Sequence, residues 1–346
     1  NLVSFANFGS NGARTFEDAV QDVFDHGIRS VSLIALRFVD PTTGQIRQVT
    51  DRSTGPDTAH LIAGMRRAKQ LGMTVTLNPF VEINGFAGFR GDLNFSGAAA
   101  TRFFNDYEAY IVEMATAAQA AGIDRLCVGS ELRNLTADTR HNARWTQIIE
   151  FADSPSNGEP GYAANCDEYR NPNTTRVFWE NPRISFMGVD AYQSLVGITE
   201  ADGVGRPAVA RLQSSWNQVL QDPAAGFAYG ILEYARQLRR GQGIPVIFTE
   251  HGTIPYDESS VNPFSDAARQ SQPTDPDEQR NDYDALMRSV DGLRARSPAQ
   301  GRIDAIYIWH GGMPGAEGGA WFLDPEGDDV RDGARAARFL SSFAST

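Results

Sequence analysis

Hydrophobic residues along this chain fall into two kinds of pattern that alternate from one end to the other. Short, nearly unbroken apolar runs occupy residues 3–8, 30–38, 74–80, 125–130, 184–191, 245–249 and 303–309, with a weaker eighth at 161–165. Runs without polar alternation suit strands of a parallel sheet whose two faces are both covered. Between them, apolar residues recur at helical spacing. Leu61, Ile62, Met65, Ala68 and Leu71 form one stripe, closed by Gly72, and Phe104, Tyr107, Ile111, Met114 and Ala118 form another, closed by Gly122. Phe227, Ile231, Tyr234 and Leu238 continue the series, as do Tyr283, Leu286, Val290 and Leu293. Such stripes read as helix faces turned toward a core.

Eight strands alternating with helices predict a single α/β domain over residues 1–346, a (β/α)₈ barrel, with an open doubly wound sheet as the alternative. The length of 346 residues is compatible with one such barrel. No internal repeat or linker divides the chain. A polar, proline-containing stretch at 255–276 follows the seventh strand and, in a barrel, overhangs the face that carries active sites.

Charge narrows the range of partners. A net charge of −12 argues against nucleic acid or an anionic membrane surface as partner, and no run of 18 apolar residues predicts a membrane span. Cys127 and Cys166 are too few and too far apart for a zinc or CxxC motif; Cys127 reads as a small buried hydrophobe, and a disulfide between the two is left open. The chain starts at Asn1 without a signal-like segment, which suits a processed export product, so a secreted or periplasmic location is the expectation. Nothing in the pattern sets an oligomeric state.

Chemistry concentrates where the strands end. Glu131 closes the fourth apolar run and Glu250 the seventh. A buried strand gains nothing from a terminal charge unless the charge is paired or put to use, and in parallel barrels these strand ends form the active-site rim. Carboxylates on the fourth and seventh strands face each other across the mouth, the arrangement that retaining glycosidases need: a nucleophile and an acid/base about 5–5.5 Å apart. Tyr192, just past the sixth run, and Trp309, at the end of the eighth, add rings on which the apolar faces of sugars stack. His251 and His310 matter only as rim residues, since the five histidines have no metal-ligand spacing. No Gly-x-Ser-x-Gly elbow, phosphate loop or cofactor motif is present, and no metal or cofactor is expected. The acidic stretch 324–332, with Asp324, Asp328 and Asp329, reads as a solvated loop, with calcium as its alternative.

These residues resemble clan A glycoside hydrolases, and more narrowly glycoside hydrolase family 113, whose characterised members are chiefly β-1,4-mannanases. The likeness runs through residues 68–79, 89–91, 128–132, 162–165, 187–192 and 248–252. It implies a retaining (β/α)₈ enzyme in which Glu131 is the acid/base and Glu250 the nucleophile. Arg90, Asn165, Asp190, Tyr192, His251 and Trp309 become candidates for substrate binding, with a β-linked polysaccharide, β-mannan first, as substrate. Residues 129–136 and 167–169 are also similar to the glycosidase-like barrel of phage-tail and gene-transfer-agent proteins, thought to act on bacterial envelope glycans. A non-catalytic glycan-binding or phage-tail-type barrel is thus the alternative function. Two departures stand out. Ser130 precedes the acid/base where clan A commonly has Asn, and Asn78 and Phe80 stand where a lysine and a histidine are expected.

Overall fold

A computed structural model describes residues 3–5, 15–48, 58–154, 158–195, 207–226, 228–261, 263–264 and 273–309. Eight strands run parallel in one curled sheet, in sequence order: β1 (Val3–Phe5), β2 (Ser30–Val39), β4 (Thr74–Ile83), β5 (Arg125–Ser130), β6 (Glu159–Asn165), β7 (Phe186–Asp190), β8 (Val246–His251) and β9 (Ile303–Ile308). The short β3 (Ile46–Gln48) folds back antiparallel on the end of β2, an addition the apolar pattern does not reveal. All eight expected strands are present, including the weak one at 161–165. β4 runs three residues past the expected end and β8 two. Residues 6–8 of the first expected strand lie outside the described residues.

Helices cover the outer face. Gly97–Ala121 starts after Ser96 and ends on Gly122, whose φ of 65° is the left-handed cap that glycine adopts without strain. Thr58–Gln70, Asn142–Ala152, Val209–Gln221, Ile231–Gly241 and Pro276–Val290 pack around the same sheet. Of the stripe expected at 283–293, Tyr283 and Leu286 lie on the buried side of Pro276–Val290, which begins on an Asp275 cap and a Pro276 already in helical φ, while Leu293 falls in the separate turn Leu293–Ala295. Among the described residues no helix is long and apolar enough to cross a membrane.

The strand alternation sorts the apolar residues into separate cores. Leu126, Val128, Ala164, Val246, Phe248, Ile306 and Ile308 point outward into the large core shared with the helices. Cys127, Ala163, Phe186, Ile247, Ala305 and Tyr307 point inward and form their own cluster inside the curl. Above them, toward the strand C-termini, Ile34, Leu36 and Phe80 form a third cluster against Phe38 and Trp309. The inner cluster fits as a jigsaw: Gly161 and Ala163 of β6 are small, and a Cβ on Gly161 would sit 2.2 Å from the Phe186 ring that uses the space. Tyr307 spans the interior, its hydroxyl 3.1 Å from Ser30 Oγ on β2 and 2.7 Å from Thr76 Oγ1 on β4. Both cysteines are free, Cys127 among the inward residues and Cys166 just past β6.

Candidate active site

Inward-facing positions at the C-terminal strand ends carry charge instead of hydrocarbon. On β4 the inward series runs Thr76, Asn78, Phe80 and Glu82, so the strand's added length brings a carboxylate to the rim. The chain then turns through Arg90–Asp92, and the Arg90 guanidinium lies 4.2 Å above the Phe80 ring. Glu131 follows β5 directly, with φ of 52°, a left-handed backbone uncommon for any residue but glycine. The β5–β6 and β7–β8 ladders both shift register near their ends. On β8, as a result, Thr249 and Glu250 can both serve the interior although they are consecutive.

Arg90 joins these groups. Its Nη1 pairs with Glu82 Oε1. Its Nη2 lies 2.6 Å from Glu131 Oε2 and 3.9 Å from Glu250 Oε1. The two glutamate oxygens therefore stand apart by no more than those distances laid end to end, about 6.5 Å. Glu131 Oε1 accepts from the Asn165 amide at 2.7 Å, and Glu250 Oε2 accepts from the Tyr192 hydroxyl at 2.9 Å. Glu250 Oε1 has no hydrogen-bond partner among the described residues. Asp190, fully buried at the end of β7, accepts from Thr249 Oγ1 at 2.6 Å and Ser130 Oγ at 3.3 Å. Trp309 stacks on Phe80 with ring centres 6.0 Å apart and planes 9° from parallel.

Four carboxylates around one guanidinium set the electrostatics. Burial raises the pKa of Glu131 and outweighs the opposing pull of Arg90. Burial, then the neighbouring Glu131, push Glu250 up to about 8. Asp190 is raised well above the usual carboxylate range by burial and by both glutamates. Two carboxylates this close do not both ionise readily, so the pair holds a proton near neutral pH. A proton donor and an ionised nucleophile side by side are what glycosidic cleavage requires.

Of the residues expected at the site, the structure gathers Glu131, Glu250, Arg90, Asn165, Asp190, Tyr192 and Trp309 on one rim. His251 is turned the other way. It is 1% exposed in the helix layer, 4.9 Å from the Trp216 ring, with its Nδ1–H donated to the Ala191 carbonyl at 2.8 Å. The register shift decides this: with Thr249 and Glu250 both at the interior, the next side chain falls outside. Burial holds His251 down to about 4, so it is neutral and ties the end of β8 to the end of β7. Sequence reasoning missed Glu82. The alternation Thr76, Asn78, Phe80, Glu82 contained it, but the expected strand stopped at Phe80. His310 and residues 324–332 lie outside the described residues.

Away from the rim, Asp257, Asp275 and Glu278 bring one carboxylate oxygen each within 4.8 Å of one another, a grouping able to take a cation. Their oxygens already accept backbone N–H groups of Glu258, Ser260, Asp277 and Glu278. Asp275 caps the following helix, while Glu278 and Asp257 tie down the loop at 258–260.

Comparison with known proteins bears on the family and the fold. The model of the family described as Glycoside Hydrolase Family 113 matches residues 3–295. Among solved structures, the chain is similar to the family 113 β-mannanase of Alicyclobacillus acidocaldarius in complex with ManMIm, at 17% identity and a TM-score of 0.71, covering 99% of this chain and 96% of that one. A second family 113 β-1,4-mannanase matches at 15% identity and a TM-score of 0.70, over 100% and 99%. The endo-1,4-β-D-mannanase of Thermotoga petrophila matches at 12% identity and a TM-score of 0.60, over 99% and 100%. At such identities the likeness is one of fold. No curated protein sequence matches the chain.

Proposed function

The chain belongs to glycoside hydrolase family 113, and on that footing we propose that it cleaves β-1,4-mannan by double displacement, with Glu250 as nucleophile and Glu131 as acid/base. One observation carries the reading: two buried carboxylates at the C-terminal ends of β5 and β8, held by one guanidinium within about 6.5 Å of each other. That spacing suits direct attack by a carboxylate and leaves little room for an intervening water.

In this mechanism Glu250 Oε1, the oxygen with no hydrogen-bond partner, attacks the anomeric carbon, while Tyr192 holds Oε2 and fixes the angle of approach. Glu131 donates its proton to the leaving oxygen. In the second half it takes a proton from the water that releases the sugar. Arg90 supports the negative charge that moves between the two glutamates. Trp309, backed by Phe80, offers a flat floor for a sugar ring. Asp190 holds Ser130 and Thr249 in place between them. Mannan is favoured because the solved structures of similar fold are named as mannanases.

The same reading extends to architecture: residues 1–346 form one domain, and the curled sheet closes into a (β/α)₈ barrel by pairing of β9 with β1. Cα atoms of the two strands approach within 8 Å, and the Tyr307 hydroxyl already reaches from β9 to β2.

The test is release of reducing ends from β-mannan, β-glucans and bacterial envelope glycan, with Glu250→Ala as control. Mannan cleavage that falls by about 10⁴-fold or more in the variant is expected. Near-wild-type cleavage by Glu250→Ala removes the nucleophile assignment, and cleavage of envelope glycan alone removes mannan. Binding of mannan without cleavage would mark a glycan-binding barrel.

A further inference from the structure

Glu168 stands outside the rim yet reaches both segments that hold Glu131. It is 2% exposed, and its oxygens are all engaged. Oε1 accepts from the Thr136 hydroxyl at 2.5 Å and the Tyr162 hydroxyl at 2.8 Å, and Oε2 accepts from the Asn165 backbone N–H at 3.1 Å. The Glu168 N–H donates back to the Asn165 carbonyl at 2.9 Å. The Tyr162 oxygen in turn accepts from the Leu132 backbone N–H at 2.7 Å. One carboxylate thus fixes the peptide that follows Glu131 and, separately, the turn bearing the amide that donates to Glu131 Oε1 at 2.7 Å.

The cost of this arrangement is visible. A carboxylate with no ion pair among the described residues is kept from water, and burial pushes it up to about 7. A fold needing only packing at this point is better served by an apolar side chain. Glu131 supplies the reason for the charge. Its left-handed backbone, φ 52°, is strained for a residue with a side chain and persists only where neighbours over-determine it. Glu168 is the group on which those constraints meet.

We propose that Glu168 is a positioning residue for proton transfer: through Tyr162–Leu132 and through Asn165 it fixes the Glu131 carboxyl at the leaving-group oxygen. The proposal rests on the reading of Glu131 as acid/base. A general acid matters most for leaving groups that depart poorly without a proton, and a displacement of an ångström is enough to impair it.

The experiment compares Glu168→Gln, Glu131→Ala and wild type on 2,4-dinitrophenyl and phenyl β-glycosides of whichever sugar the polysaccharide panel selects. Glu168→Gln is expected to lose about tenfold or more in kcat/KM, which reports the glycosylation step, on the phenyl glycoside and less than about threefold on the dinitrophenyl glycoside. Equal losses on both substrates, or no loss on either, overturn the proposal. If Glu131→Ala shows no such leaving-group dependence, the acid/base reading falls and the role of Glu168 with it. Should Glu168→Gln fail to fold, Tyr162→Phe cuts the Leu132 branch alone and must show the same asymmetry.

Discussion

The interior of the curled sheet changes chemistry within a few inward-facing positions of each strand. Toward the N-terminal ends, Cys127, Ala163, Phe186, Ile247, Ala305 and Tyr307 make a packed plug with a hydroxyl trio at its base. Toward the C-terminal ends, the same strands and the loops that follow present Glu82, Arg90, Glu131, Asp190 and Glu250, nearly as deeply buried. The plug gains stability from burial; the charged rim spends some of it, since each carboxylate has lost water and most share one arginine. That division of labour, stability below and chemistry above, follows from a parallel sheet in which every strand points its C-terminus at the same face.

The comparison is testable by substitutions that should behave oppositely at the two ends. Glu250→Gln is the largest expected effect on activity, a fall of about 10⁴-fold or more in kcat. Thermal unfolding should show no loss of stability in this variant and a gain if repulsion between Glu131 and Glu250 dominates, because a neutral amide replaces a buried charge. A fall in Tm of several degrees would break the view that the rim is strained.

Arg90→Gln should be harmful in both respects. It leaves Glu82 and Glu131 buried without their cation, at a cost of about 3–5 kcal/mol of stability by urea unfolding. In the plug, Phe186→Ala should cost a similar 3–5 kcal/mol or so by leaving a cavity, while the folded fraction keeps most of its kcat. Gly161→Ala, which forces a methyl into the Phe186 ring, should cost about 1–3 kcal/mol. A plug variant with wild-type stability and lost activity would reverse the assignment of the two ends.

The smallest expected effect is that of pH on stability. Glu168, Glu278 and Asp282 are each raised to about 7 by burial. A carboxyl raised in the folded state contributes stability that is present at acid pH and lost as pH rises through 7. His251, lowered to about 4, works from the other side: its contribution is present above its ordinary value and lost as pH falls through 4. Three raised carboxyls outweigh one lowered histidine over this range, so the stability these groups contribute should fall from about pH 4.5 to about pH 7, with a Tm about 2–5 °C higher at pH 5.5 than at pH 8.5 by calorimetry. A Tm that rises steadily to pH 8.5 would show these carboxyls ionised in the folded protein. For activity, the proton shared by Glu131 and Glu250 sets the alkaline limb, so kcat/KM should decline as pH climbs through about 8.

Much of this arrangement was legible in the sequence, and the part that was not has a common cause. The eight strands were visible as apolar runs because both faces of a covered parallel sheet are apolar. Glu131 and Glu250 stood out because a charge at the end of such a run is anomalous. The free state of both cysteines and the hairpin strand β3 depend on which segments become neighbours, which no local pattern records. Glu82 was hidden for a simpler reason: polar rim residues blur the end of a strand, so the expected β4 stopped at Phe80, one inward position short.

His251 shows most clearly what only the folded chain decides. Next to Glu250 in sequence, it lies on the opposite side of the sheet, because a register shift between β8 and its neighbours turns two consecutive residues inward and sends the third out. Arg90 and Glu168 teach the same lesson, Arg90 reaching groups 8 to 160 positions away along the chain and Glu168 groups 3 to 32 positions away. The amino-acid sequence by itself determined the alternation of strands and helices and the two glutamates at strand ends, since burial on both faces and a misplaced charge are local properties. The tertiary structure decided which side each rim residue faces and which carboxylates share a counter-ion. Those outcomes belong to pairing between strands, and pairing is settled only when the whole sheet has formed.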